Sequence, residues 1–258
     1  MTISRNGRFG LMSALALAAV VGAAAVQAQT GTEGARPASG YLAAGQTPDS
    51  LVIVPPPPEP GSPLDQADRA YFNATRSLEG TARWAQAQAD VPLFGAVAHR
   101  SFGCAVGKSI TPQTTPTLSR LMDRLVIDAG TSTSPSKARY NRVRPPVGND
   151  QPICVKREDW LTTNGSFPSG HAAVGWIWGL VLAELAPDKA TAAVTRGREF
   201  GESRAICGVH FPTDVEAGRL MGTAVYARLQ AEPAFRTDMQ TAREELAKAP
   251  PAEGCGTP

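Results

Sequence analysis

Hydrophobic positions recur at intervals of three and four residues along most of the chain after residue 65. This spacing places apolar side chains on one face of an α-helix, and few stretches show the strict alternation that is typical of a strand. The predicted helices run from Asp65 to near Gly80, onward through Trp84, from Thr115 to Gly130, from Ser169 to Leu185, from Asp188 to about Ile206, from Pro212 to Leu229 and from Pro233 to Ala247. The pattern therefore predicts an all-α fold, a compact helical bundle.

The segment from Gly130 to Pro168 interrupts this helical pattern. It contains Pro135, Pro145 and Pro152, and proline removes a backbone donor and clashes with the preceding turn of a helix. We therefore expect irregular structure between the second and third apolar stripes.

The first 28 residues have the organisation of a secretory signal peptide. Arg5 and Arg8 precede an apolar run from Leu11 to Val26, and a small-residue cleavage site ends at Ala28. The same run could instead serve as a single membrane anchor, but it is alanine-rich and short for a span. We expect cleavage, a periplasmic or secreted protein, and no stable membrane insertion afterwards.

The rest of the chain is predicted to form one domain with extensions at both ends. Residues 29–60 have few large apolar side chains and then a proline-rich stretch, which is typical of a flexible lead-in. Residues 61–248 form the helical domain, and residues 249–258 form a C-terminal tail. About 230 residues are enough for one sizeable core.

The charge balance argues against nucleic acid as a partner. The whole chain has 25 basic and 23 acidic side chains, and removal of Arg5 and Arg8 with the leader makes the two numbers equal. A near-neutral chain lacks the basic surface that binding to a phosphate backbone requires.

Four cysteines stand in a chain that is predicted to enter an oxidising compartment: Cys104, Cys154, Cys207 and Cys255. Disulfides are therefore expected, and the sequence leaves all three complete pairings open. Their spacing does not match a zinc site. We expect neither a metal nor another cofactor, because the cationic side chains Lys137, Arg144 and Arg204 can supply the charge that a metal ion supplies elsewhere.

Three short clusters hold the residues that carry chemistry: Lys137 to Pro145 (KARYNRVRP), Pro168 to His171 (PSGH) and Ser203 to Asp214 (SRAICGVHFPTD). Phosphoryl transfer requires positive charge around the phosphate oxygens, a positioned nucleophile and a proton donor for the leaving group. These clusters contain cationic side chains and two of the three histidines, so small-molecule phosphate esters are the predicted substrates.

The PSGH cluster lies where an apolar helix begins. Backbone N–H groups at a helix N-terminus form an anion-binding site. Ser169 can add its hydroxyl, Gly170 lets the backbone approach a phosphate closely, and His171 falls in the same turn. The candidate phosphate-binding residues are Lys137, Arg144, Ser169, Gly170 and Arg204.

The order Lys-x6-Arg-Pro, Pro-Ser-Gly-His and Ser-Arg-x5-His-x3-Asp resembles the signature of the type 2 phosphatidic acid phosphatase superfamily. Between the motifs the chain is similar to the class A bacterial non-specific acid phosphatases. This resemblance implies that His210 attacks phosphorus, that Asp214 orients it, and that His171 protonates the leaving group. It also implies a covalent phosphohistidine, metal-independent hydrolysis of varied monoesters, inhibition by vanadate and a homo-oligomer.

Other activities of the same superfamily stay open from the sequence. A vanadate-dependent haloperoxidase would use the same anion site, and phosphotransfer or diphosphate hydrolysis could accompany monoester cleavage. A membrane lipid phosphatase is disfavoured because no stretch after the leader resembles a spanning helix, and a non-catalytic phosphate binder is disfavoured by the complete motifs. The remaining histidine, His99, is predicted to be a packing or surface residue.

Overall fold

Ten α-helices follow one another in the computed structural model, which describes Pro37 and residues 39–256. Within these residues the only β-type pairing is an isolated bridge between Lys108 and Pro251. The helices are α1 Ser50–Ile53, α2 Pro63–Thr75, α3 Ala82–Ala89, α4 Gly95–Val106, α5 Pro116–Tyr140, α6 Trp160–Thr163, α7 Gly170–Leu185, α8 Ala190–Ile206, α9 Pro212–Leu229 and α10 Pro233–Lys248. The all-α prediction is confirmed. The predicted signal peptide lies outside the described residues.

Helix α7 lies at the centre of the core and packs against α5, α8, α9 and α10. It is apolar almost all round, as expected of a helix with neighbours on every side. Trp178 is fully buried, and its indole N–H donates to the carbonyl of Met122 on α5 at 2.9 Å. This hydrogen bond satisfies the polar atom of the large side chain at the centre of the core. No helix in the described part of the chain has both the length and the apolar character to cross a membrane.

Glycines allow α7 and α8 to approach each other closely. A Cβ added at Gly197 on α8 would lie 2.6 Å from the carbonyl oxygen of Gly175 on α7, and one at Gly175 would lie 2.6 Å from the ring of Phe200. The PSGH cluster opens α7, and Ser203 and Arg204 lie near the end of α8. The close packing therefore fixes two of the three sequence clusters relative to each other.

We expect Gly197→Ala to destabilise the protein by about 1–3 kcal/mol, because the new methyl group would lie 2.6 Å from the backbone carbonyl oxygen of Gly175. For a domain of this size, the melting temperature should fall by roughly 2–10 °C. Gly130→Ala is the matched control, since that exposed helical glycine has nothing within 4 Å of the added Cβ. Thermal unfolding followed by circular dichroism compares the two, and equal melting temperatures would contradict the packing argument.

The prediction that a helix ends at Gly130 is wrong, because α5 continues to Tyr140 with Pro135 inside it. Ser132 and Ser136 are fully buried on this extension. The N–H of Ser136 donates to the hydroxyl of Ser50 at 3.1 Å. A side chain from another part of the chain thus satisfies a backbone donor next to the proline. Lys137 consequently lies on a helix, and not on the irregular segment that the prolines predicted.

Two further features were not predicted from the sequence. Helix α4 carries the buried residues Ala98, Phe102 and Val106 on one face. Contacts with the helices also begin well before residue 61, since the backbone N–H groups of Tyr41 and Leu42 donate to the carboxylate of Asp128 at 2.9 and 3.0 Å.

The structure selects one of the three possible disulfide pairings. Cys104 bonds Cys255, which ties the C-terminal tail to α4, and Cys154 bonds Cys207 at the end of α8. Beside the second bridge, the N–H of Cys154 donates to the carbonyl of Cys207 at 3.1 Å. This bridge lies three residues before His210 and connects that segment to the loop before α6.

Candidate active site

A cavity of about 620 Å³ opens where the three sequence clusters meet. Its wall includes six of the eight predicted site residues: Lys137, Arg144, Gly170, His171, Arg204 and His210. The other two, Ser169 and Asp214, are fully buried directly behind this wall. Predicted residues up to 73 positions apart in sequence, Lys137 and His210, therefore converge on one cavity.

His210 lies just before α9 and is held in a defined tautomer. Its Nδ1 is 3.3 Å from Oδ2 of Asp214, and its Nε2 is 3.0 Å from Nη1 of Arg144. A guanidinium can only donate hydrogen bonds, so Nε2 is the acceptor and the ring proton is on Nδ1. Burial and the charges of Arg144, Lys137 and Arg204 lower the pKa of His210 well below its usual value. The ring is therefore neutral, with a lone pair on Nε2.

Asp214 occupies the first turn of α9, where the helix dipole favours a negative charge. Its Oδ2 accepts a hydrogen bond from the N–H of Phe211 at 2.8 Å, in addition to contacting His210. Burial raises the pKa of Asp214, and Arg142 opposes this rise. Its carboxylate is thus fixed in position by the same turn that carries His210.

Arg144 and Lys137 hold the chain that leads into α7. The Nε of Arg144 donates to the carbonyl of Asn164 at 2.8 Å, and the ammonium of Lys137 donates to that of Gly165 at 2.8 Å. Burial lowers the pKa of Arg144 to about 10. Burial and the neighbouring Arg144 lower the pKa of Lys137 to about 7. Two cations are therefore concentrated on one side of the cavity.

Arg204 has unused hydrogen-bonding capacity inside the protein. Its side chain is 5% exposed, and its Nε and Nη1 have no hydrogen-bond partner among the described residues. Burial, followed by the charge of Arg144, lowers its pKa to about 10. A buried guanidinium with unpaired donors beside a cavity is suited to an anionic ligand, because an anion would supply both the acceptors and the opposite charge.

The start of α7 is connected to the start of α9. The hydroxyl of Ser169 caps α7 by accepting from the N–H of Ala172 at 3.2 Å, and the N–H of Ser169 donates to the carbonyl of Asp214 at 2.8 Å. Gly218 on α9 permits this contact, since an added Cβ would lie 2.3 Å from the carbonyl oxygen of Ser169. Gly170, the first residue of α7, faces the cavity.

His171 is held by the backbone of a distant residue. Its Nε2 lies 2.6 Å from the carbonyl oxygen of Asp90, and its ring stacks on Phe200 at 4.7 Å. A carbonyl can only accept, so Nε2 carries a proton and Nδ1 is the nitrogen that this contact leaves for other partners. Burial, Arg204 and His210 lower the pKa of His171 well below its usual value.

Residues 124–232 match the PAP2 superfamily, and this span contains all three clusters. The chain is 42% identical over 202 residues to an acid phosphatase of Zymomonas mobilis, which covers 78% of this chain and 76% of that protein. The chain belongs to the PAP2 superfamily. The resemblance inferred from its motifs is thereby confirmed.

Two further relatives align with this chain at similar identity and over a similar share of its length. A non-specific acid phosphatase of Providencia stuartii is 39% identical over 210 residues, covering 81% of this chain and 85% of that protein. One of Salmonella typhimurium is 38% identical over 200 residues, covering 77% and 80%. A solved transmembrane PAP2 type phosphatidylglycerolphosphate phosphatase from Bacillus subtilis aligns with a TM-score of 0.46 at 20% identity, over 64% of this chain and 84% of that one.

Several residues that support this PAP2 site were not predicted from the sequence. Asp90 holds His171 through its carbonyl, and its carboxylate pairs with Arg196 and accepts from the hydroxyl of Ser203 at 2.6 Å. Arg142, which falls outside the motif register, pairs with Asp214. The only sequence signal for Arg142 is its position inside the KARYNRVRP cluster. No feature of the local sequence marks Asp90.

His99 is a packing residue, one of the two possibilities that the sequence left open. It is fully buried, 3.1 Å from the carboxylate of Asp123 and edge-on to Trp178. It is not among the residues that line the cavity. Throughout Pro37 and residues 39–256, no group of three or more histidine, cysteine or acidic side chains is arranged to hold a metal ion.

Proposed function

We propose that this protein is an acid phosphatase that hydrolyses phosphate monoesters of broad structure through a covalent phosphohistidine. The observation that carries this proposal is the cavity in which Lys137, Arg144 and the unpaired donors of Arg204 surround the ring of His210. Such a cluster fits a phosphate dianion, and the similarity to named acid phosphatases supports the same activity. The leaving group is bound less specifically than the phosphate, because few charged residues line the rest of the cavity wall.

The first chemical step forms a phosphorus–nitrogen bond and breaks the ester bond. The Nε2 lone pair of His210 attacks phosphorus in line with the departing oxygen, and the cations stabilise the charge on the equatorial oxygens. Protonated His171 donates a proton to the alcohol oxygen as the ester bond breaks. Since Asp90 already accepts from Nε2 of His171, the proton is transferred from Nδ1. Asp214 stabilises the positive charge on the phosphorylated ring.

The second step regenerates the enzyme. Neutral His171 removes a proton from a water molecule, whose oxygen attacks phosphorus and displaces Nε2 of His210. Inorganic phosphate leaves, and His171 is again protonated for the next cycle. An acidic optimum follows, because the lowered pKa of His171 requires a low pH, or the negative charge of a bound phosphate, to keep the ring protonated.

Purified mature protein should release phosphate from p-nitrophenyl phosphate and from nucleoside and sugar monophosphates, fastest at acidic pH. EDTA should leave the rate unchanged, because three cationic side chains supply the charge that a metal ion supplies elsewhere. Vanadate should compete with substrate. Absence of turnover on every ester, or a strict need for added metal, would contradict the proposal. Bromide oxidation with added vanadate and peroxide but no ester cleavage would favour the haloperoxidase.

The proposed setting is the periplasm or the extracellular space. It rests on the predicted leader in residues 1–28 and on the two disulfides, which persist in oxidising compartments. The homo-oligomer stays a prediction from the resemblance. N-terminal sequencing of the exported protein and light scattering would test these two points.

A further inference from the structure

Arg142 lies behind the proposed nucleophile and between two buried carboxylates. Its Nη1 donates to Oδ1 of Asp214 at 2.7 Å, and its Nη2 donates to Oδ2 of Asp68 at 2.8 Å. The side chain is 9% exposed, and its guanidinium lies 4.3 Å over the ring of Phe211. Arg142 is therefore held on both sides by charge and on one face by an aromatic ring.

Asp68 lies on α2 and is held in place by two hydrogen bonds from Thr213, the residue next to Asp214. Its Oδ1 accepts from the N–H of Thr213 at 3.2 Å, and its Oδ2 accepts from the hydroxyl of Thr213 at 2.5 Å. That hydroxyl also accepts from Nη1 of Arg142 at 2.8 Å. Helix α2, the segment after α5 and the first turn of α9 thus meet in one closed set of hydrogen bonds.

The two oxygens of Asp214 are consequently used for different purposes. Oδ2 contacts Nδ1 of His210 and accepts a hydrogen bond from the N–H of Phe211, whereas Oδ1 accepts one from Nη1 of Arg142. Without Arg142, Oδ1 would be buried without this charged partner, which favours protonation of the carboxyl or rotation towards another donor. Either change would weaken the contact that keeps the proton of His210 on Nδ1.

Arg142 lies away from the cavity, unlike the two arginines among the candidate phosphate-binding residues. Arg144 and Arg204 line the cavity, and Arg142 does not. Within the described residues, its guanidinium contacts the carboxylates of Asp65, Asp68 and Asp214, the hydroxyl of Thr213 and the ring of Phe211. Its substitution should therefore affect the reactivity of the nucleophile and not the affinity for phosphate.

Other charged groups also act on Asp214 and His210. Lys137, Arg144 and Arg204, from α5, the segment that follows it and α8, act on Asp214 or His210 directly, as Arg142 does. On α2, Asp65 and Asp68 pair with Arg142, and Arg69 pairs with Asp65. Of these, Arg142 has the largest opposing effect on the raised pKa of Asp214. Arg142 is thus the residue whose loss should most increase protonation of this carboxyl.

We propose that Arg142, anchored by Asp68 and Thr213, is a positioning residue that keeps Asp214 ionised and aimed at His210 when the surroundings are acidic. This inference rests on the proposed role of His210 as nucleophile. By this inference, the Asp68–Arg142 pair enables the site to work at low pH.

The test compares Arg142→Gln with Arg142→Lys, and uses the exposed Arg139→Lys as control. For Arg142→Gln we expect kcat on p-nitrophenyl phosphate to fall by about 10–100-fold, with KM changed much less. The acid limb of the kcat/KM profile should move to higher pH, because loss of the guanidinium raises the pKa of Asp214 further. Arg142→Lys keeps a positive charge, so its acid limb should lie between those of the unaltered protein and Arg142→Gln. Arg139→Lys should match the unaltered protein.

Asp68→Asn provides a second variant, which keeps the shape of the anchor and removes its charge. It should shift the profile in the same direction by a smaller amount, and it decides the question if Arg142→Gln does not fold. A raised KM with an unchanged kcat would make Arg142 a phosphate ligand and overturn the inference. A loss of kcat with an unmoved acid limb would also overturn it. Inactivity of the unaltered protein on every ester would instead refute the proposed function itself.

Discussion

Replacing His210 by alanine is expected to reduce turnover of every phosphate ester by about 10⁴-fold or more, as loss of an attacking side chain does in other covalent enzymes. The expectation follows from the proposed attack by His210: Arg144 donates to Nε2, so the lone pair available for attack is on that nitrogen. The side chain is 5% exposed, and water that replaces it would lack the contact with Asp214. Steady-state rates with p-nitrophenyl phosphate measure the loss.

A direct measurement separates a nucleophile from a merely structural histidine. Rapid quenching in alkaline detergent with a radiolabelled ester should trap a base-stable, acid-labile phosphoprotein in the unaltered enzyme and none in His210→Ala. His99→Gln is the matched control, because His99 is also buried but packs against Trp178 outside the cavity wall. It should still form the phosphoprotein. Labelling of His210→Ala at the normal level would show that another residue attacks.

The convergence of the candidate residues on one cavity was predictable because these residues are concentrated in three short motifs. Helix α7 begins one residue after Ser169, and α9 spans Pro212–Leu229 as its proline start and apolar pattern indicated. Local rules of capping and periodicity fix such boundaries, and the motif register selected Arg144 from among neighbouring arginines. Six of the eight predicted residues accordingly share one cavity wall.

The supporting residues were not predictable by the same reasoning, because their partners lie far away in the chain. Asp90 contacts His171 across 81 positions, and Asp68 contacts Arg142 across 74. No local pattern distinguishes a buried, paired aspartate from one on a solvated helix face. The extension of α5 past Gly130 has a similar cause, since the hydroxyl that accepts from Ser136 comes from Ser50, 86 positions earlier.

The hydrogen bonds of the two histidines fit the opposite roles that we propose for them. Nε2 of His210 faces a donor, Arg144, and stays unprotonated, whereas Nε2 of His171 faces an acceptor, the carbonyl of Asp90, and keeps its proton. Burial lowers the pKa of both rings. A low pH, or a bound phosphate dianion that adds negative charge near Nδ1 of His171, would favour the doubly protonated ring. In the proposed mechanism, proton donation is therefore favoured when substrate is bound.

Replacing His171 by alanine should therefore slow esters according to the basicity of their leaving group. A poor leaving group such as an alkoxide needs a proton as it departs, whereas p-nitrophenolate leaves without one. We expect kcat/KM to fall by about 10²–10⁴-fold for alkyl phosphates and much less for p-nitrophenyl phosphate. This ratio reports the first chemical step, so slow hydrolysis of the proposed phosphohistidine does not obscure the comparison.

A series of aryl phosphates with graded leaving groups gives the sharpest measurement of this effect. In the unaltered enzyme the logarithm of kcat/KM should depend weakly on the pKa of the leaving phenol, because His171 neutralises the developing charge. In His171→Ala the dependence should become steep. The variant also loses the stacking contact with Phe200, so thermal unfolding must confirm that it is folded under the assay conditions. Parallel lines, with equal losses for good and poor leaving groups, would assign His171 to binding and remove it from proton transfer.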